Sequence, residues 1–398
     1  MSMKRRDFIK RSGLASSAFF IPGFLKPFEN HNSESHRNIV IIQLSGGNDG
    51  LNTIVPYEND LYYHHRKSIA IKKEDVIKLN DQQGFHPSLN ALKDVYDQGY
   101  MTIINSVGYP NPDRSHFRSM DIWHTASDSN EYLSTGWIGR YLDSNCSGCE
   151  HPYLAIETDD VLSLALKGVT KKGIAVKNVK QLYDETREPY FKGLIEAKEK
   201  SMLDEDNLGY LYKTLIETSS SAGYIYETSK QYKNEYSYPD TGFAKQLKTI
   251  ATFINSGMQT KVYYVSLSGF DTHVNQMPTQ QRLFKEYSEA IAAFINNLKS
   301  ANKFNDTLML TFSEFGRRVE QNASNGTDHG TASNVLIYGA NLKQKGIYNN
   351  MPDLSNLSEG DLKYSVDFRS IYATILQNWL GVNNPSILKK NFQLLNFV

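Results

Sequence analysis

Along the chain, apolar positions fall into two periods that alternate. Short runs rich in β-branched residues are bounded by glycine: "NIVIIQLS" (38–45), "YMTIINSVG" (100–108), "KVYYVSLSG" (261–269), "DTLMLTFSEFG" (306–316) and "SNVLIYG" (333–339). Continuous apolar runs of this length predict strands covered on both faces. Between them, apolar residues recur at helical spacing. Leu89, Leu92, Val95 and Tyr96 predict a helix over 86–99, and Phe117, Met120, Trp123 and His124 one beginning near Ser115. Segments 239–257, 278–300 and 366–381 predict three more. Strands alternating with helices give the fold class: α/β, a largely parallel doubly wound sheet with helices on both faces. Residues 177–237 have another texture, rich in Lys, Glu, Tyr and Ser with no strong strand. They are expected to form an inserted helical layer rather than a separate domain.

Composition narrows the function classes. Lys+Arg and Asp+Glu number 43 each, so no basic field argues for nucleic acid. No apolar run reaches the roughly 20 residues of a spanning helix, so no transmembrane anchor is expected. The N-terminus "KRRDFIK", followed by "SGLASSAFFIPGFL", resembles the twin-arginine export signal. That resemblance sets a signal peptide at 1–29, a linker at 30–37 and one domain from 38 to 398. It implies the twin-arginine machinery as a partner and the bacterial periplasm or another extracytoplasmic location. The two cysteines, Cys146 and Cys149 in "NCSGCEH", are expected as a local disulfide outside the cytoplasm. A lone C-x-x-C lacks the second pair of a structural zinc site, although His151 is near, and its loop setting speaks against redox chemistry.

In open parallel sheets, ligands bind beyond the carboxyl ends of strands. The residues there are Asn48 and Asp49 after the first strand, then Asp113, Arg114, Ser115 and His116 after the second. Asp271 and His273 of "GFDTH" and Glu314 and Arg317 of "SEFGRR" follow the next two, and Asp328 and His329 of "NGTDHGTAS" precede the last. Singly, each is a helix cap or turn former. Together on one edge they would repel unless cations lay among them, and Asp, Glu and neutral His are ligands for divalent metals. The expected metal ligands are Asp49, Asp271, His273, Glu314, Asp328 and His329, around one or two ions of Zn, Mn, Ca or Mg. Ser115 is the candidate nucleophile at a helix start that favours anions, with a plain N-cap as its other reading. Asn48, Arg114, His116 and Arg317 are the candidate substrate contacts.

As a set, "LSGGNDGLNT", "PNPDRSHF", "GWIGRYLD", "GFDTH" and "SEFGRRVEQN…GTDHGTAS" resemble an exported bacterial family known as domain of unknown function 1501, over about 38–381. That family is similar in its strand-end ligands to the alkaline phosphatase and sulfatase superfamily. The likeness implies a metal-dependent hydrolase of phosphate or sulfate esters, acting on a small anionic ester or a sulfated or phosphorylated glycan. It matches Asp49 to the first-strand metal acid, Ser115 to the nucleophile, Asp271 with His273 to one metal's ligands, and His329 to the late histidine, with Asp328 as ligand or its support. Phe315 stands where the superfamily has histidine and Glu314 where it has Asp, and "GFDTH" is tighter than usual, which puts one metal site in question. No cysteine lies in a "C-x-P-S-R" context, so a formylglycine mechanism has no support; a sulfatase-like enzyme with an unmodified Ser is a further reading. The alternative is a non-catalytic exported binding or assembly protein on the same scaffold.

Overall fold

The computed structural model describes residues 37–144, 152–191, 193 and 207–398. The residues expected as an export signal (1–29), those expected as a linker up to His36, and Cys146 and Cys149 lie outside the described residues. Nine strands build the main sheet: β1 (Asn38–Ser45), β2 (Met101–Gly108), β3 (Ala155–Glu157), β4 (Ile174–Ala175), β5 (Val262–Ser268), β6 (Thr307–Phe312), β7 (Ser333–Tyr338), β8 (Gly346–Ile347) and β9 (Val366–Asp367). Their order across the sheet is β8-β2-β7-β6-β1-β5-β3-β4, with β9 also paired to β2. β1 sits at the centre, parallel to both β5 and β6. β7 alone runs against its neighbours β2 and β6.

Seven helices matter here: α1 (His116–Thr125), α2 (Trp137–Ser144), α3 (Val179–Glu185), α4 (Asn207–Ser229), α5 (Gly242–Asn255), α6 (Gln276–Ser300) and α7 (Phe368–Thr374). Alternation along β1 splits the core in two, since successive side chains point to opposite faces. Val40, Ile42 and Leu44 join Leu247 and Ile250 of α5 and Ala290, Ile291 and Phe294 of α6. Ile39 and Ile41 join Trp123 of α1, Trp137 of α2 and Phe368 and Tyr372 of α7. On that second face Trp123 stacks between Phe312 and Phe368, at 4.7 and 4.2 Å between centroids. Trp137 stacks on Tyr372 at 4.3 Å.

The fold departs from the sequence pattern in four places. The segment expected as a helix over 86–99 is a 3-10 turn, Pro87–Leu92, followed by a short α turn, Lys93–Asp97. Its apolar positions are nonetheless buried: Leu89, Leu92 and Val95 join the core cluster that also holds Ala290, Ile291 and Phe294 of α6. Phe117, placed on the buried face of α1 by periodicity, is 87% exposed, while Trp123 and His124 are buried as expected. The terminal helix is α7 followed by a π turn, Ile375–Trp379. The segment 177–237, expected as an inserted layer, contains α3 and α4 among the described residues. A small three-stranded sheet (Ile54–Val55, Gly84–Phe85 and Ile77–Lys78) has runs too short to show a period.

Two histidines are sunk in the cores. His124 meets the Tyr264 hydroxyl at 3.0 Å, and His86 accepts from the Ser88 amide at 3.0 Å. Burial lowers both to about 4. Their folded values lie below the unfolded one, so the unfolded chain binds protons these rings refuse between about pH 6.5 and pH 4. Stability therefore falls on acidification through that window. Going from pH 7 to pH 5 is expected to cost about 2 kcal/mol per ring. Urea midpoints at the two pH values test this, and a His124→Gln variant with an unchanged slope would remove His124 from the account.

Candidate metal centre

The carboxyl ends of β1, β2, β5 and β6 open onto one rim, together with the start of β7, which reaches it by running backwards. After β1 the chain turns through Gly46 and Gly47, at φ +120° and +73°. A side chain on Gly46 would strike the Asp271 backbone at 2.4 Å, and one on Gly47 the Phe315 ring at 2.1 Å. Only glycine permits both the backbone conformation and the approach. The turn is held from below by Glu314, fully buried, whose Oε1 accepts from the Gly46 amide at 2.8 Å.

Three imidazoles and one carboxylate meet on this rim. His116, the first residue of α1, places Nδ1 at 2.9 Å from Glu314 Oε1. His273 places Nδ1 at 3.1 Å from Asp328 Oδ1, and His329 places Nδ1 at 2.8 Å from the Arg114 carbonyl. A carbonyl or carboxylate oxygen only accepts, so each Nδ1 carries the hydrogen and each neutral ring turns its Nε2 lone pair the other way. The three lone pairs face Asp271. Its Oδ1 lies 3.0 Å from His273 Nε2 and 3.2 Å from His329 Nε2, and its Oδ2 lies 3.5 Å from His116 Nε2. His116 Nε2 is buried without a hydrogen-bond partner. The donor atoms of His116, Asp271 and His329 all lie within 4.8 Å of one another, a set able to hold a metal ion.

The electrostatics suit a cation. Burial pushes the Asp271 carboxyl up, but the hydrogen bond from Arg317 and the neighbouring His329 and His273 rings outweigh it and hold its pKa at about 2. Hydrogen bonds from Asn322 and His273 lower Asp328. The hydrogen bond to Glu314 raises the His116 imidazole against the effect of its burial, while burial lowers His329.

The other sequence-selected residues take different places. Asp49 is 1% exposed and caps the helical turn Gly50–Thr53, its Oδ1 accepting from the Leu51 amide at 3.1 Å. Its Oδ2 receives Arg66 Nη1 and Gln276 Nε2, each at 2.5 Å, so the carboxylate is engaged in a neutralised pocket. Asn48 is 4% exposed and bonds Thr53 through its amide group. Where a substrate clamp was expected, the Arg317 side chain is wholly buried and spends its donors on the Gly46, Gly47, Phe270 and Thr327 carbonyls and on Asp271. Arg114 pairs with Asp361 and Glu359. Ser115 occupies the N-cap position of α1 yet makes no side-chain cap bond, so its exposed hydroxyl stays free between Arg114 and His116. Sequence reasoning missed His116 as a metal-facing group and Arg66 altogether. His116 follows the helix-start serine directly, which was its available signal; Arg66, in "HHRKS", had none.

Phe315 stacks obliquely on His116 and His329, at 4.8 and 4.7 Å between centroids. It also lines a cleft of about 540 Å³ beside the cluster, with Tyr109, Arg114, Glu359, Lys363 and Tyr364 among the walls. Among the described residues no helix is long and apolar enough to cross a membrane.

Several solved structures resemble the chain. The lipoteichoic acid synthase LtaP from Listeria monocytogenes is 10% identical, with 91% of this chain and 76% of that one covered at a TM-score of 0.41. The phosphonate monoester hydrolase SpPMH from Silicibacter pomeroyi is 10% identical, covering 89% and 77% at 0.41. A protein in the alkaline phosphatase superfamily from Vibrio parahaemolyticus is 12% identical, covering 89% and 70% at 0.37. No curated protein matches the sequence. A family model does match: residues 210–393, which supply Asp271, His273, Glu314 and His329, are similar to the family described as Protein of unknown function (DUF1501).

Proposed function

We propose that this protein is an exported, metal-dependent hydrolase of phosphate or sulfate esters. The observation that carries the reading is the convergence of His116, Asp271 and His329, with the His116 Nε2 lone pair buried and unpartnered. An orphaned buried polar atom costs free energy unless something binds it. A divalent cation there would be held by those three residues, and it would polarise an ester oxygen and lower the pKa of a bound hydroxyl.

The chain's own groups supply the rest. Ser115 offers a free hydroxyl at the N-terminus of a ten-residue helix, where amide dipoles favour an anion. Glu314 and the Arg114 carbonyl fix the orientation of His116 and His329 through their Nδ1 hydrogens. Phe315 closes one side of the cluster against water and opens the other to the cleft, where the ester's remaining part would lie. Arg114, Lys363 and Glu359 supply the charges of that cleft, a mixed lining that fits a small anionic ester or a modified glycan better than a long polyanion.

The test uses protein recovered from the extracytoplasmic fraction, whose presence there also checks the export reading of Arg5 and Arg6. Hydrolysis of p-nitrophenyl phosphate or p-nitrophenyl sulfate is expected, lost on chelation and restored by Zn²⁺ or Mn²⁺. Metal-loaded protein that hydrolyses neither ester would sink the proposal. It would favour a non-catalytic binding protein, a reading that draws on Arg114 and Arg317 both being engaged by groups of the protein itself.

A further inference from the structure

We infer that the centre takes a single ion of the zinc class in a four-donor set of His116, His273, His329 and Asp271, and that the acids a second ion would need are already engaged inside the protein. The inference rests on the metal-site reading above and fixes the number of ions and their chemistry.

Four observations carry it. First, His273 Nε2 and His329 Nε2 lie 2.9 Å apart, both rings with Nδ1 committed to an acceptor. Two lone pairs at that distance repel unless a proton or a cation lies between them. Second, Asp271 Oδ1 lies 3.0 and 3.2 Å from His273 and His329 Nε2, and its Oδ2 lies 3.5 Å from His116 Nε2. Ligands about 2.0–2.2 Å from a tetrahedral ion lie about 3.3 Å from one another. Third, three of the four donors are imidazole nitrogens. Mg²⁺ and Ca²⁺ take oxygen shells, whereas zinc and its neighbours in the transition series accept imidazole.

Fourth, the acids a second ion would need are already engaged. Asp49 has Arg66, Gln276 and two backbone amides around its carboxylate. Glu314 Oε1 is shared between the Gly46 amide and His116, and its Oε2 faces the Ser313 hydroxyl at 3.3 Å. Arg317 Nη2 reaches Asp271 Oδ1 at 2.7 Å. The Arg66 and Arg317 side chains are both wholly buried. A further dication beside Asp49 would meet the fixed positive charge of Arg66 in a buried setting that screens it poorly.

The experiment is metal counting on the full chain, stripped with a chelator and reloaded with Zn²⁺, Mg²⁺ or Ca²⁺ in turn. Elemental analysis after gel filtration is expected to give one Zn²⁺ per chain and no retained Mg²⁺ or Ca²⁺. Competition with a chromophoric chelator should show His273→Ala and His273→Gln binding Zn²⁺ at least about 10-fold more weakly. His273 has 39% of its side chain exposed, so both variants are expected to keep the wild-type circular dichroism. Two Zn²⁺ per chain overturn the inference and leave the hydrolase proposal standing. No bound ion overturns both. Retained Mg²⁺, or an unchanged Zn²⁺ affinity in the folded His273 variants, overturns the four-donor set.

Discussion

Replacing Arg317 with methionine is expected to destabilise the fold by about 4 kcal/mol or more, a large part of a typical domain's total. The guanidinium is a clasp. Nε donates to the Gly47 carbonyl at 2.6 Å and Nη1 to the Thr327 carbonyl at 2.8 Å. Nη2 donates to the Gly46 carbonyl, to the Phe270 carbonyl at 3.0 Å and to Asp271 Oδ1 at 2.7 Å. Those acceptors belong to the loops after β1 and β5 and the loop before β7, and the first of these lies more than two hundred residues from the other two in sequence. Methionine fills much of the volume but leaves four carbonyls without their donor, and each unpaired buried group costs about 1–3 kcal/mol. The Asp271 pair contributes less than a dry ion pair, since 48% of that side chain is exposed. Arg317→Lys is expected to recover little, because a point-charge ammonium cannot serve three loops from one fork. Urea unfolding measures both variants. A loss below about 1 kcal/mol for Arg317→Met would show that the loops hold their places without the clasp.

The same residue shows where sequence reasoning reached its limit. Strand ends were legible because β-branched runs bounded by glycine mark buried strands, and the ends of β1, β2, β5 and β6 do share a rim. His329 was legible only by accident of topology. It precedes its strand, so in a parallel sheet it would fall at the opposite edge. β7 runs antiparallel to β2 and β6, and that reversal returns Asp328 and His329 to the imidazole cluster. Charge partners were not legible at all. Arg66 lies in a stretch without periodicity, and its pairing with Asp49 depends on how the segment around residue 66 folds back over the Gly50–Thr53 turn. An acid after a strand looks alike in sequence whether it faces a cluster of imidazoles, as Asp271 does, or a buried guanidinium, as Asp49 does. Phe315 likewise looked like a lost ligand, and in the structure its ring is the wall against which Gly47, His116 and His329 pack.

Ser115→Ala is expected to lower the rate of aryl ester hydrolysis by about 10³-fold or more while leaving both stability and bound metal unchanged. The structural half of that expectation follows from the absence of anything to break. The hydroxyl caps no amide of α1, and the helix entry is instead pinned by Asp113, whose Oδ1 accepts from the Ser115 amide at 2.7 Å. An exposed serine with no bond of its own costs about 0.5 kcal/mol or less to truncate. The chemical half follows from the residues on either side. The Arg114 carbonyl holds His329, and His116 turns its free Nε2 toward Asp271, so both neighbours of Ser115 are fastened to the cluster. A hydroxyl carried between two such neighbours has little freedom to leave the rim, which is the positional condition for attack on an ester bound there. Steady-state rates, elemental analysis and urea midpoints on one preparation separate the outcomes. If the variant keeps its metal and its stability and hydrolyses within tenfold of the wild type, Ser115 is not the nucleophile, and attack on the ester must come from water instead.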